Sequence, residues 1–168
     1  MDLQLKNKRA LVTGSTLGIG FAIARTLARE GAEVIITGRT QARVDEAIAR
    51  IRQEIPTAQL QGFAGDLAVP SEAERLTQQF PQVDILINNL GIYEPKPFGD
   101  ISDADWQHFI DTNFMSGVRL SRFYLPQLLE RNWGRVLFIA SESGFDVPAE
   151  MIHYGVTKTM QISLARGM

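Results

Sequence analysis

Thr13-Gly14-Ser15-Thr16-Leu17-Gly18-Ile19-Gly20 joins an apolar run, Arg9 to Thr13, to a segment in which Ile19, Ile23 and Leu27 recur every four residues. The run has the length of a buried strand, and the four-residue recurrence lays an apolar stripe along a helix. That helix is expected to stop at Glu30-Gly31, and a second apolar run, Glu33 to Thr37, follows at once. Strand, helix and strand in this order form one βαβ unit. Gly14, Gly18 and Gly20 sit at the first turn of that unit, where absent side chains let the backbone approach a pyrophosphate and the free amides of the helix start face it. Glycines of a merely tight turn read the same way in isolation, so the flanking strand and helix carry the nucleotide reading. No Gly-Lys-Ser/Thr follows, which excludes a P-loop.

Working outward, further strands are expected at Ala58 to Phe63, Val83 to Asn88 and Arg135 to Ala140. Segments of helical period separate them, and this alternation predicts an α/β fold, a doubly wound parallel sheet of five strands. Ser71 to Glu74 and Ser102 to Asp105 both match the capping box, which predicts helix starts there. Tyr93 to Gly99, with Pro95 and Pro97, is the longest irregular stretch and follows a strand, where ligands of such sheets bind. The 168 residues fit one domain. Apolar residues at 45%, charged residues at 21% and a net charge of −2 leave no basic surface for nucleic acid. With no cysteine and two isolated histidines, His108 and His153, neither a disulfide framework nor a metal site is expected. Met1 to Arg9 is polar and basic, and no apolar stretch is long enough to span a bilayer, so a soluble, unsecreted, cytoplasmic protein is the expectation.

The second strand ends at Thr37-Gly38-Arg39. An acid at this tip accepts hydrogen bonds from an adenosine 2′-hydroxyl, whereas an arginine pairs with a 2′-phosphate. Arg39 therefore favours NADP over NAD, against the alternative of a solvated residue before a helix; Leu17 offers no second cation from the glycine turn. Tyr154 and Lys158 stand at i and i+4, neighbours on one helical face. A free phenol titrates near pH 10, and an ammonium nearby favours its phenolate, which makes such a pair an acid/base device. Ser141 ends the fifth strand on the edge that carries the glycine turn, and its hydroxyl could hold a carbonyl, with Ser143 as a near competitor. Asn113 falls on the inner stripe between Ile110, Phe114 and Gly117, as a packing amide or as a group ordering a water or the lysine. Asn88, Asn89 and Gly91 end the fourth strand and can steady the strand ends, the cofactor or both. Phe145, Val147, Met151 and Ile152 are expected as an apolar substrate wall, with Glu142, Glu150 and His153 at its rim.

Taken together these residues resemble the short-chain dehydrogenase/reductase family, over nearly the whole chain. The carriers are Thr13 to Gly20, the Asp-x-Leu-x-Asn-Asn-x-Gly segment at Asp84 to Gly91 (as Asp84-Ile85-Leu86-Ile87-Asn88-Asn89-Leu90-Gly91), Asn113, Ser141, and Tyr-x-x-x-Lys at Tyr154 to Lys158. The resemblance implies a Rossmann-type sheet, a catalytic tetrad of Asn113, Ser141, Tyr154 and Lys158, and cofactor contacts from Gly14, Ser15, Gly18, Ile19, Gly20, Arg39, Asp66, Leu67, Asn89, Gly91, Tyr154 and Lys158. Asp66 and Leu67 would flank the adenine, Lys158 would hold the nicotinamide ribose and Asn113 would support a proton relay. It also implies a homo-oligomer, dimer or tetramer, with the helix from Met151 at its interface. Leu90 stands where the family most often has alanine. Family members continue beyond the Tyr-Lys helix with two more strands and a substrate-covering loop, whereas residues 1–168 stop ten residues after Lys158; a C-terminally incomplete dinucleotide-binding domain with an uncovered fifth strand is therefore expected.

The expected activity is hydride transfer between NADP(H) and a small carbonyl or alcohol, with Tyr154 as general acid/base. A non-catalytic nucleotide-binding module, or an inactive fragment, is the alternative. A methyltransferase using S-adenosylmethionine would share the glycine turn but gives no reason for Ser141, Tyr154 and Lys158 together.

Overall fold

A computed structural model describes residues 3–168; Met1 and Asp2, the first residues of the polar start, lie outside the described residues. Five parallel strands make one sheet: β1 (Arg9–Val12), β2 (Glu33–Gly38), β3 (Leu60–Ala64), β4 (Ile85–Asn88) and β5 (Arg135–Phe138), in the order β3-β2-β1-β4-β5. The order reverses between β1 and β4, which pair Ala10 with Ile85 and Val12 with Ile87. Such a reversal splays the connections to opposite faces and opens a crevice beyond the strand ends.

Alternation along the strands splits the core in two. Ala10, Val12, Val34, Ile36, Ile85 and Ile87 face α1 (Gly18–Arg29) and α2 (Gln41–Glu54), meeting Phe21, Ala24, Ala28, Val44, Ala47 and Ile51. Leu11, Ile35, Phe63 and Leu86 face the other way, toward Ala73 and Leu76 of α3 (Pro70–Gln79) and Leu120 and Tyr124 of α5 (Ser116–Glu130). Tyr124 is fully buried and donates its hydroxyl to the Phe80 carbonyl at 2.7 Å, and burial holds its pKa above the ordinary phenol value. Both sheet faces are covered, as parallel sheets require.

Two local expectations are corrected and a third holds. The α1 stripe is carried by Gly20, Phe21, Ala24 and Ala28, with Ile23 and Leu27 packed beside it, while Ile19 is 64% exposed. Ile19 lies at the helix mouth, ahead of the sheet that would bury it. Helix α3 starts at Pro70, with no side-chain cap from Ser71; a proline at the first position presets the helical dihedral and puts Ser71 inside the first turn. The second capping box holds: Ser102 accepts from the Asp105 amide at 3.2 Å and Asp105 accepts from the Ser102 amide at 2.9 Å, opening α4 (Asp103–Phe109).

Between α4 and α5 the chain makes one π-helical stretch, Ile110–Met115, and after β5 it turns through Glu142–Gly144 and Ala149–Met151 into α6 (Ile152–Gly167). Strand β5 is the edge of the sheet, and Leu137 is 44% exposed on it.

Candidate active site

The glycine turn is built by the hydroxyls of Thr13, Ser15 and Thr37. Thr13 accepts from the Asn89 and Leu90 amides, both at 2.9 Å, and binds β1 to the end of β4. Thr37 accepts from the Gly14 amide at 3.0 Å. Ser15, expected among the cofactor contacts, is fully buried. Its hydroxyl donates to Val12 O at 2.8 Å and accepts from Thr37 N at 2.9 Å, and its own amide donates to Thr37 O at 3.0 Å. Its hydroxyl and amide are thus committed to the sheet and shape the turn.

Asn89 donates to Thr13 O at 2.9 Å and Gly14 O at 3.1 Å and so braces the same turn. Gly20 has no room for a side chain, because a Cβ there would overlap the Asn89 amide and the Gly14 carbonyl. Gly18, at φ +58°, faces open space, with nothing within 4 Å of a Cβ position. The residue before α1, Leu17, makes no side-chain cap. The helix therefore presents uncapped first-turn amides to an open cradle, which fits the phosphates of a dinucleotide.

Arg39 is exposed beyond the end of β2 and has no hydrogen-bond or ion-pair partner among the described residues. Asp66 is exposed and accepts from the Ala68 amide at 3.1 Å, whereas the Leu67 side chain is 2% exposed and belongs to the core, leaving only its main chain to meet an adenine. Leu90 packs partly buried against the same core, so its extra bulk is turned inward.

Across the crevice, close approach of α6 to the turn after β5 assembles the remaining groups. Gly155 lets α6 reach Ser143 O and Val147, where a Cβ would collide with both. Ser141 is half-buried and its hydroxyl accepts from Ser143 N at 3.2 Å; Ser143 is 7% exposed and lies beneath it. Of the two serines, Ser141 is the more accessible. Lys158 is 4% exposed, with Nζ donating to Ile139 O at 2.7 Å and Gln161 Oε1 at 3.2 Å, and it stands 5.5 Å from the Tyr154 ring centre. Burial without a carboxylate partner disfavours its ammonium and lowers its pKa from 10.5 to about 8.

Asn113 is 1% exposed within the π stretch. Its Oδ1 accepts from Ile92 N at 2.7 Å, and its Nδ2 donates to Ile92 O at 2.9 Å and to Thr157 Oγ1 at 3.0 Å. A Cβ on Gly91 would lie 3.5 Å from Asn113 Oδ1 and 3.6 Å from Lys158 Nζ, so the bare backbone of Gly91 opens onto both. Gln161, which no motif singled out, accepts from Lys158 and donates to the Asn113 main-chain carbonyl. Its only sequence signal is a position three residues after Lys158, on the same helical face.

The expected rim residue His153 is instead fully buried, its ring centre 3.9 Å from that of Phe109 and 6.1 Å from that of Trp106. Both ring nitrogens lack partners, and burial lowers its pKa. On α6 it sits one residue before Tyr154 and so points to the opposite, packed side. Phe145 and Val147 are exposed as expected of a wall, and Met151 and Ile152 are half-buried.

With a phosphate cradle at a sheet reversal and a tyrosine-lysine face beside it, the chain belongs to the short chain dehydrogenase family, whose profile matches residues 8–168. It is 49% identical, over its full length, to the uncharacterized oxidoreductase YvaG of Bacillus subtilis, of which it covers 64%. Among solved structures it superimposes on L-sorbose reductase from Gluconobacter frateurii, complexed with NADPH and L-sorbose, with a TM-score of 0.91 and 29% identity over 99% of this chain and 65% of that one. It is similar also to a 3-oxoacyl (acyl-carrier-protein) reductase from Agrobacterium tumefaciens with NADP bound (TM-score 0.88, 32% identity, 97% of this chain and 64% of that one). The chain thus spans just under two thirds of the length of these relatives. No helix among the described residues is long and apolar enough to cross a membrane.

Proposed function

We propose that residues 1–168 form the dinucleotide-binding and catalytic part of an NADP(H)-dependent oxidoreductase acting on a small carbonyl or alcohol. The observation that carries this reading is the position of Lys158. It is fixed by Ile139 and Gln161 one turn from Tyr154, and its Nζ opens onto Gly91 and Asn113 at the sheet reversal. The uncapped amides at Gly18 to Gly20 would hold the pyrophosphate, Arg39 the 2′-phosphate, and Lys158 the ribose beside the nicotinamide. When bound, the cofactor supplies or accepts the hydride.

The protein groups handle the proton and the oxygen. Tyr154, half-buried at the crevice, gives its phenolic proton to the carbonyl oxygen in reduction and takes one back from the alcohol in oxidation. The Ser141 hydroxyl stabilises charge on that oxygen, and its fixed position beside α6 means that no reorganisation is needed as the charge develops. Asn113 fixes Ile92 and, through Gln161, the lysine.

NADP preference is supported by the unpaired Arg39 and by the NADP-type ligands of the two solved relatives. Assembly as a homo-oligomer rests on the family resemblance, and a cysteine-free chain suits the cytoplasm. Tyr154→Phe in a cofactor-oxidation assay over a ketone panel is expected to lower kcat by roughly 10²- to 10⁴-fold while leaving cofactor binding intact. Undiminished turnover would reject the tyrosine mechanism, and cofactor binding without turnover by the unmodified protein would select the non-catalytic module. Arg39→Ala is expected to raise KM for NADPH and leave that for NADH unchanged.

A further inference from the structure

The irregular segment after β4 is tied down at both ends. Asn113 holds Ile92 by two hydrogen bonds, and Lys96 donates from its main chain to Glu150 O at 2.8 Å and from Nζ to Asp105 Oδ2 at 2.6 Å. Between these ties stands Tyr93, 75% exposed, its ring edge-on to Tyr154 with centres 6.4 Å apart. Val147 packs at Gly155, the residue after Tyr154, and Phe145, two residues before Val147, is 72% exposed. The held segment thus keeps a large ring edge-on beside the Tyr154 phenol, within reach of a ligand bound at that phenol.

The two segments that carry these rings are acidic. Segments 91–106 and 141–151 hold Glu94, Asp100, Asp103, Asp105, Glu142, Asp146 and Glu150 against Lys96 alone. Lys96 is neutralised by Asp105, and the other six carboxylates have no ion-pair partner among the described residues.

Resting on the oxidoreductase reading above, we propose that Tyr93 is a specificity-determining residue which, with Phe145 and Val147, receives an uncharged or cationic carbonyl compound carrying a flat apolar group next to the carbonyl, while the acidic rim disfavours carboxylate- and phosphate-bearing substrates. An aromatic contact of this kind is worth about three- to tenfold in binding. Several unpaired carboxylates acting through screened water over about a Debye length add roughly a fivefold penalty against an anion.

The test is a matched set of acetophenone, 4-acetylbenzoate and (4-acetylphenyl)trimethylammonium with the intact protein and NADPH. The expected kcat/KM for the neutral and cationic ketones exceeds that for the carboxylate by roughly tenfold at low salt, and the gap narrows in 0.5 M salt. Tyr93→Ala should lower the acetophenone value, mainly through KM, by about three- to tenfold and affect acetone far less; Tyr93→Phe should restore it. Glu94→Lys should raise the carboxylate value severalfold. Equal or greater preference for the carboxylate, or a Tyr93→Ala loss that is the same for acetone and acetophenone, overturns the proposal. Calorimetric dissociation constants of the same ketones on NADPH-loaded Tyr154→Phe rank them without turnover. If no ketone is reduced, the oxidoreductase reading fails, and the binding order alone then decides for or against the aromatic, anion-rejecting mouth.

Discussion

Lys158 makes a prediction that can be worked from its environment alone. The amine is 4% exposed, its partners are a carbonyl and an amide oxygen, and its pKa falls from 10.5 to about 8. In the unfolded chain it titrates at its ordinary value. Between pH 8 and 10.5 the unfolded state therefore binds a proton that the folded state does not, and stability contributed by this site rises with pH. Below pH 8 both states are protonated and the full cost is present, about 3 kcal/mol at 1.36 kcal/mol per unit. From pH 7 to 9.5 the site should recover about 2 kcal/mol of that cost. Other groups also titrate in this range, so the measurement is a difference: denaturant unfolding of the cofactor-free protein and of Lys158→Met across pH 7 to 9.5. The variant loses two hydrogen bonds, which shifts its whole curve, but it lacks the titration. Its stability relative to the parent should therefore fall by about 2 kcal/mol as pH rises, or roughly 4 to 8 °C in Tm for a domain of this size. A difference that stays flat, or grows with pH, would refute a desolvated lysine.

Three further outcomes follow from single contacts. Gly18→Ala, at φ +58° in open space, should cost about 1 kcal/mol of stability but weaken NADPH binding sharply, whereas Gly20→Ala should damage both, because its Cβ meets Asn89 and the Gly14 carbonyl; thermal unfolding and fluorescence titration separate the two. Asn113→Ala leaves Ile92 N and Ile92 O without their side-chain partner and removes one of two hydrogen bonds at Thr157 Oγ1, and should destabilise by about 2 to 4 kcal/mol, with faster amide exchange at Ile92. His153 must stay neutral to remain folded, so the parent should lose stability as pH drops below 6.5 toward the lowered folded pKa; His153→Phe, filling the same space against Phe109 and Trp106, should flatten that acid limb in urea unfolding.

Much of this architecture was legible because strands buried on both faces read as continuous apolar runs: Ala10 to Val12, Val34 to Ile36 and Ile85 to Ile87 need no partner sequence to be recognised. The glycine turn and the Tyr154–Lys158 pair were legible for another reason, since spacing alone fixes their relation on a turn or a helix face. What failed was the direction of single side chains. A histidine beside a tyrosine on a helix can face water or the core; Phe109 and Trp106, more than forty residues away, decide it. Ser15 is implied as a cofactor contact by the family resemblance, yet its hydroxyl is bonded to Val12 and Thr37, a pairing that exists only once β1 and β2 lie side by side. Local pattern set the elements, and the cross-strand neighbours set what each polar atom could still do.

The π-helical stretch shows how the two levels meet in one residue. A regular helix from Asp103 would give Asn113 an ordinary place on the inner stripe, where its amide would need some partner but no particular one. In the π stretch Asn113 turns its side chain to the Ile92 main chain, while its carbonyl accepts from Gln161, and Gln161 accepts from Lys158. The segment that displays Tyr93 and the Lys158 amine are thus held by opposite ends of the same residue. A shift of the π stretch would move Tyr93 and Lys158 together, so the two keep their register without a hydrogen bond between them. That shared support explains why an amide, which is both donor and acceptor, stands there: a carboxylate could accept from Ile92 N but could not donate to Ile92 O or Thr157, and a hydrophobe could do neither.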